Sequence, residues 1–174
     1  RLGRVVGDLA ALSAAETASL SLRRATIDLR AIAEEALAAA LPAFDLAGLQ
    51  ASIDAGGPVL VIADADRLHQ ALGNLLANAA RYCRPGDAVH ISVRQEGRRA
   101  LVSVADSGPG ISAEELPHVF DRLWRGSTAS DVAGSGIGLA VVRELIAAHG
   151  GEVDVVSDGS TGTTFTVRLP VAEN

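Results

Sequence analysis

The sequence predicts a two-layer α/β sandwich: a mixed β-sheet with helices packed on one face. Three observations lead there. Segments 31–41, 65–82 and 137–149 carry apolar residues at helical spacing. Stretches 90–95, 100–106, 153–157 and 163–169 alternate with period two. Helices and strands are interspersed, yet the last strands are joined by short turns and so pair as antiparallel hairpins. This disfavours a doubly wound parallel sheet.

Taken in order, Leu2, Val5, Leu9 and Leu12 open the chain at helical spacing and predict a short amphipathic helix over residues 1–12. It stops near the Ser-rich stretch Ser13–Ser21. A strand is predicted at Thr26–Leu29, then a helix over Ala31–Leu41 that Pro42 ends. Strands around Ala51–Ile53 and Val59–Ala63 flank the turn signal Gly56-Gly57-Pro58. Asp64 suits the N-cap of a helix over Ala65–Tyr82, with Pro85-Gly86 beyond its end. Leu68, Leu72, Leu75 and Ala79 line its core face. Glu96-Gly97-Arg98 turns one hairpin. Ala113–Arg125 reads as helix, Gly126–Ser135 as a small, polar, flexible stretch, and Ile137–His149 as a helix stopped by Gly150-Gly151. A final hairpin, Val153–Ser157 with Thr163–Leu169, completes the chain.

The 174 residues are the length of one domain, and 48% of them are hydrophobic. Aromatics are scarce, so Ala, Val, Leu and Ile must fill the core. No apolar run approaches a membrane span, and no signal peptide opens the chain. A formal charge of -6 argues against general affinity for nucleic acid or an acidic membrane surface. The single Cys83 permits no internal disulfide and fits a reducing compartment; it reads as a small buried side chain rather than a reactive thiol. The absence of Met suggests a fragment or processed chain. Lys is absent too, all fifteen basic residues being Arg, which excludes lysine-centred phosphate loops. Any phosphate must be held by backbone N–H groups, arginine and metal.

Four places carry candidate chemistry. On the 65–82 helix, Asn74, Asn78, Arg81 and Tyr82 share a stripe opposite the leucines. Asn is a mediocre helix former, so the pair is not there for propensity. The amide oxygen of Asn78 suits Mg²⁺, Arg81 suits phosphate and the Tyr82 ring can stack on a base; the alternative is a solvated polar face. Asp106 ends a strand on the face of Val102 and Val104 and opens Asp106-Ser-Gly-Pro-Gly-Ile111. Its carboxylate can accept from an exocyclic amine, and Gly108 and Gly110 let backbone approach a ligand; the alternative is a good turn. Gly134-Ser-Gly-Ile-Gly138 leads into a helix N-terminus, an anion site by its free N–H groups and dipole. Arg122 and Arg125, a helical turn apart beside Phe120 and Trp124, can reach a phosphate or form an exposed basic edge. His149 reads as helix C-terminal chemistry, and the other histidines lack metal-ligand spacing.

In this order the motifs resemble the ATP-binding catalytic domain of bacterial sensor histidine kinases, within the superfamily of gyrase, Hsp90 and MutL. Asp66-Arg-Leu-His-Gln-Ala-Leu-Gly-Asn-Leu-Leu-Ala-Asn-Ala-Ala-Arg-Tyr82 is similar to its N box, Asp106–Ile111 to its first glycine box and Phe120-Asp-Arg-Leu-Trp-Arg125 to its F box. Gly134–Ala140 is similar to its second glycine box and Gly162-Thr-Thr-Phe165 to its closing motif. The resemblance covers residues 25–172 and implies a Bergerat-type fold that takes ATP and Mg²⁺.

It implies that Asn78 ligates the metal and that Arg81, Arg122 and Arg125 approach the phosphates. Asp106 binds the adenine amine, Thr163 shares a bridging water, and Tyr82 and Ile111 pack on the ring. The strand period favours Thr163 over Thr164, because Thr163 shares a face with Phe165 and Val167. Gly108, Gly110, Gly134, Ser135, Gly136, Ile137, Gly138 and Leu139 complete the nucleotide loops, and Phe120–Gly136 corresponds to the mobile lid. Where hydrolysing relatives carry a basic Glu, this chain has Asn74, which cannot take a proton; Asn74 thus joins the arginines as a catalytic candidate that favours transfer over hydrolysis.

Residues 1–24 resemble the end of the dimerisation helix and its linker, and 25–174 the catalytic domain. No His is followed by Glu, so the acceptor histidine is expected outside this chain. Implied partners are the phosphoacceptor domain of the same kinase, in a homodimer, and a response regulator. The expected setting is cytoplasmic, with membrane attachment only through segments this chain lacks. An ATPase or serine kinase of the same superfamily, or a catalytically silent interaction module, are the competing readings.

Overall fold

The computed structural model describes residues 21–124 and 136–172. Strand β1 (Ala25–Asp28) leads into helix α1 (Leu29–Ala47), then β2 (Gln50–Ala55), β3 (Leu60–Ala63) and helix α2 (Ala65–Tyr82). Strands β4 (Ala88–Glu96) and β5 (Arg99–Asp106) form a hairpin. Helix α3 (Gly138–Ala148) follows, and strands β6 (Glu152–Ser157) and β7 (Thr163–Pro170) close the fold. The main sheet has the order β2-β4-β5-β7-β6, with β2–β4 parallel and every other pair antiparallel. β1 and β3 pair separately, antiparallel, and an isolated bridge from Val61 to Val171 ties them to the end of β7. The expected mixed sheet with a helical layer is therefore observed.

Alternation explains the layering. Val89, Ile91 and Val93 of β4, Val102 and Val104 of β5, and Phe165, Val167 and Leu169 of β7 are buried in one cluster with the helices. Helix α2 packs between α1 and α3, burying Leu68, Ala71, Leu72, Leu75, Leu76 and Ala79. Each fully buried Leu contributes about 1.5–3 kcal/mol of transfer free energy, so this stripe fixes which face of α2 is left for polar groups. Asp64 caps the helix by accepting from the Arg67 amide at 3.2 Å. Asp28 caps α1 and also accepts from the Val59 amide, both at 3.0 Å, which holds β3 to the start of α1.

Two sequence expectations are corrected. Pro42 does not end its helix: α1 runs through it to Ala47. Proline removes one N–H bond, but the carbonyl it would have paired, that of Ala38, lies on an exposed turn where water can satisfy it. Beyond Pro42, Phe44 is buried to 1% exposure. Gly48, at φ 70°, closes a Schellman motif: its amide donates to Asp45 O at 3.2 Å and the Leu49 amide to Phe44 O at 2.9 Å. That anchor outweighs the local penalty. Second, residues 113–124 are not an α-helix. They hold one 3₁₀ turn, Leu116–His118, with Pro117 inside it, and Leu123 adopts φ 63°. A proline in mid-segment denies the i→i−4 bond and restricts the residue before it. The helix expected over residues 1–12, the stretch Gly126–Ser135 and Arg125 lie outside the described residues.

Candidate functional site: the open end of the sheet beside α2

The candidate residues gather where β5, β7 and β6 end beside α2. In register, Asp106 of β5 faces Thr163 of β7, which faces Ser157 of β6. Directly opposed residues share a face, so the three side chains stand in one row on the helix-covered side, next to the row of buried Val104 and Phe165 and half-buried Val155. The Asp106 Oδ1 atom accepts from the Gly108 amide at 3.0 Å, and its carboxylate also accepts from the Thr163 amide. Burial pushes the Asp106 pKa up, and those two amides offset it only in part. A half-buried carboxylate that is imperfectly compensated has acceptor capacity left for a donor from a ligand.

Glycines shape the loop after Asp106. Gly110 sits at φ 76°, and a Cβ there would lie 2.8 Å from the Ser160 amide nitrogen; the first glycine loop thus rests directly on the β6–β7 turn. Gly108 backs onto Cys83, whose Sγ would be 2.9 Å from an added Cβ. Burial, then Asp106 and Asp87, push the Cys83 thiol up to about 12. It stays protonated and inert, as the sequence suggested.

On α2, Asn74 and Asn78 are half-buried, Arg81 is exposed and Tyr82 half-buried. Asn74 Nδ2 donates to the Gly138 carbonyl at 3.2 Å, joining the polar stripe to the first turn of α3. Ile137 is buried at the N-cap of α3 and has no side-chain cap; Leu139 is half-buried against the core. The first turn of α3 thus lies beside Asn74, and its N–H groups have no intrahelical acceptor. Gly136, at φ 73°, accepts at its carbonyl from the Leu123 amide at 3.0 Å, and a Cβ on it would be 2.6 Å from Trp124 O. The positions flanking residues 125–135 are thus tied together. Phe120 anchors that junction by an edge-to-face contact with Phe165, with ring centroids 6.1 Å apart. Gly134, Ser135 and Arg125 lie outside the described residues. Arg122 does not stand on an α-helix, and its Nη2 pairs with Glu144 Oε1 of α3 at 2.5 Å.

His149 answers to its helix-terminal reading. It is 5% exposed; Nδ1 bonds the Leu145 carbonyl at 2.6 Å, and Nε2 accepts from the Asp64 amide at 3.1 Å. These two bonds require the neutral Nδ1–H tautomer and link the end of α3 to the start of α2. Burial, reinforced by Arg24, lowers its pKa, opposed by Leu145 O and Asp64. A depressed folded value means the unfolded chain binds the proton first. His149's contribution is thus complete above its unfolded pKa of about 6.5 and lost as pH falls toward the folded value. Thermal melts are expected to show the wild-type midpoint falling between pH 7 and 5, with a shallower fall in His149→Asn; parallel profiles would contradict this.

Residues 63–173 match the family described as "Histidine kinase-, DNA gyrase B-, and HSP90-like ATPase". The chain belongs to that family. Within the histidine kinase-, gyrase- and HSP90-like ATPases it is similar to the "Sensor-like histidine kinase SenX3" of Mycobacterium tuberculosis, at 38% identity over 98% of this chain and 42% of the relative. Among solved structures it resembles "Mycobacterial sensor histidine kinase MprB", with TM-score 0.78, 28% identity and 86% and 100% of the two chains covered. It also resembles full-length ShkA, solved in complex with AMPPNP, with TM-score 0.86, 27% identity and 99% and 36% covered. The chain spans about two fifths of the length of the SenX3 relative. Its similarities thus place it with the ATP-binding catalytic domains of sensor histidine kinases. No helix among the described residues is long and apolar enough to cross a membrane.

One contributor escaped the sequence reading. Ser157 Oγ accepts from the Ile111 amide at 2.8 Å and donates to the Gly162 carbonyl at 2.6 Å. The signal was present: Val153, Val155 and Ser157 share a face by period two, and a serine there is a polar group facing the core.

Proposed function

We propose that this chain is the kinase module of a two-component sensor, binding Mg²⁺-ATP and passing the γ-phosphate to a histidine on a separate dimerisation domain. The observation that carries the reading is the half-buried Asp106 carboxylate, held by the Gly108 amide of the first glycine loop and in register with Thr163, with acceptor capacity to spare. A carboxylate acceptor at the end of β5 selects an amine-bearing base, and the α3 N-terminus with Arg81 supplies positive potential for phosphates.

Magnesium fits this donor set. Asn78 offers a half-buried amide oxygen on the same stripe, and the described residues hold no group of three His, Cys, Asp or Glu able to cage a metal. Mg²⁺ ordinarily takes one or two protein oxygens and the rest from phosphates and water, and it neutralises developing phosphate charge. In this reading Asn78 holds the ion, Tyr82 and Ile111 flank the base, and Thr163 joins Asp106 in reading it. Gly108, Gly110 and the second glycine loop (Gly134, Ser135, Gly136, Ile137, Gly138, Leu139) bring backbone to the nucleotide. Arg81, with Arg122 and Arg125, neutralises charge as the phosphoryl group leaves; Arg122 would have to exchange its pairing with Glu144 to do so. Catalysis is then positioning and electrostatics.

Asn74 supports transfer over hydrolysis, because an amide that donates to Gly138 O cannot abstract a proton from water. Residues 1–24 are read as the end of the dimerisation helix with its linker. The parent protein is read as a homodimeric, membrane-anchored sensor whose kinase module faces the cytoplasm and serves a response regulator. With γ-labelled ATP, this chain alone is expected to yield neither rapid ADP nor a stable phosphohistidine, whereas adding its dimerisation domain yields label on that domain. Fast turnover by the chain alone would favour an ATPase; a labelled histidine on it would place the acceptor within the chain.

A further inference from the structure

We propose that Ser157 is the positioning residue that fixes the base-reading edge of the site and sets its preference for an amine over a carbonyl on the purine. The proposal rests on the ATP reading above. Proton accounting carries it. The Ser157 hydroxyl has one proton, and the 2.6 Å contact to the Gly162 carbonyl commits it. Its two lone pairs can then only accept: one from the Ile111 amide at 2.8 Å, the other shared between the Gly159 amide at 3.4 Å and the Thr163 hydroxyl at 3.5 Å. The last contact is long and orients rather than binds. Between the two hydroxyls only Thr163 can be the donor, because Ser157 has no second proton to give.

In the proposed arrangement Thr163 Oγ1 gives its proton to Ser157 and turns its lone pairs elsewhere. Thr163 is 6% exposed and lies in register between Ser157 and Asp106. The row Asp106–Thr163 consequently presents acceptors alone, complementary to an exocyclic amine and hostile to a carbonyl at the same place. A second consequence is steric. Ser157 Oγ would be 3.0 Å from a Cβ on Gly110, so the same hydroxyl that polarises Thr163 holds the first glycine loop, through Ile111, down onto the β6–β7 turn. Removing it releases the ring-packing residue and the polarity of the base edge together.

The test uses the whole chain with Ser157→Ala and Ser157→Thr. Calorimetry with non-hydrolysable ATP and GTP analogues is combined with amide exchange of the ligand-free protein. In S157A, ATP-analogue binding should weaken about tenfold, the loss of one buried hydrogen-bonding group. GTP-analogue binding should change less, so the ATP-to-GTP ratio falls, and Ile111 amide exchange should quicken in the absence of nucleotide. S157T keeps the hydroxyl and should recover both. A folded S157A with faster Ile111 exchange but an unchanged ratio would overturn base selection, leaving a mere loop anchor. Unchanged ratio and unchanged exchange would overturn the role entirely. If the wild-type chain binds neither analogue while Ile111 exchange still depends on Ser157, the ATP reading fails, and base selection with it.

Discussion

Gly162→Ala is expected to lower the stability of the fold by about 3–5 kcal/mol, the largest effect of any single methyl in the site. Gly162 is buried at φ 122°, outside the conformations an L side chain adopts cheaply, and a Cβ there would lie 1.9 Å from the Asp106 carbonyl oxygen. Strain at such a position costs about 1–3 kcal/mol, and a clash with backbone that cannot rotate away adds about as much again. The neighbour cannot yield, because Asp106 is locked in register with Thr163 and its carboxylate holds the Gly108 amide. Denaturant titration measures the loss. A variant within about 1 kcal/mol of wild type would show that the end of β5 is softer than its hydrogen bonds imply. By contrast, Gly57→Ala meets nothing within 4 Å and should leave stability nearly unchanged, which controls for generic effects of replacing glycine.

Asp106→Asn is expected to separate binding from folding. It removes the carboxylate proposed to accept from the base, and nucleotide affinity should fall on the order of 100-fold, about 2.8 kcal/mol. Stability should move the other way. Burial raises the folded pKa of Asp106 above its unfolded value of about 3.9. The folded state therefore holds the proton more tightly than the unfolded one. The Asp106 contribution is fully present below the unfolded pKa and is lost as pH rises through the folded value. At neutral pH the wild type carries this cost and the neutral asparagine does not. D106N should thus melt at or above the wild-type temperature at pH 7 and lose that advantage below about pH 4. A variant equally destabilised at both pH values, with affinity lost in proportion, would mean that Asp106 is structural.

The sequence made helix α2 legible to the residue, because its signals are local: Asp64 to cap it, a leucine stripe to bury and a Pro-Gly pair just beyond. The β4–β5 and β6–β7 hairpins were legible for the same reason. What escaped was non-local. The extent of α1 depends on Phe44 finding the core and on Gly48 closing the helix, and local propensity at Pro42 argues against both. The parallel pairing of β2 with β4, and the separate pairing of β1 with β3, leave no mark in either strand's own period. Within the site, the asparagine stripe and the two glycine loops could be named from their spacing. The bond from Asn74 to Gly138 spans 64 positions and could not. Ser157 stands between these cases, since its face was readable and its partners were not. What the sequence missed around Arg122 was the backbone: a helix was expected through Pro117, and in its absence the guanidinium pairs with Glu144.

The central claim is a purine nucleotide site completed by a metal on Asn78. Isothermal calorimetry of this chain with a non-hydrolysable ATP analogue, with and without Mg²⁺, tests it most directly. The account predicts saturable binding that Mg²⁺ strengthens, with the Mg²⁺-dependent increment lost in Asn78→Ala. Absence of binding at millimolar analogue, with or without Mg²⁺, would contradict it.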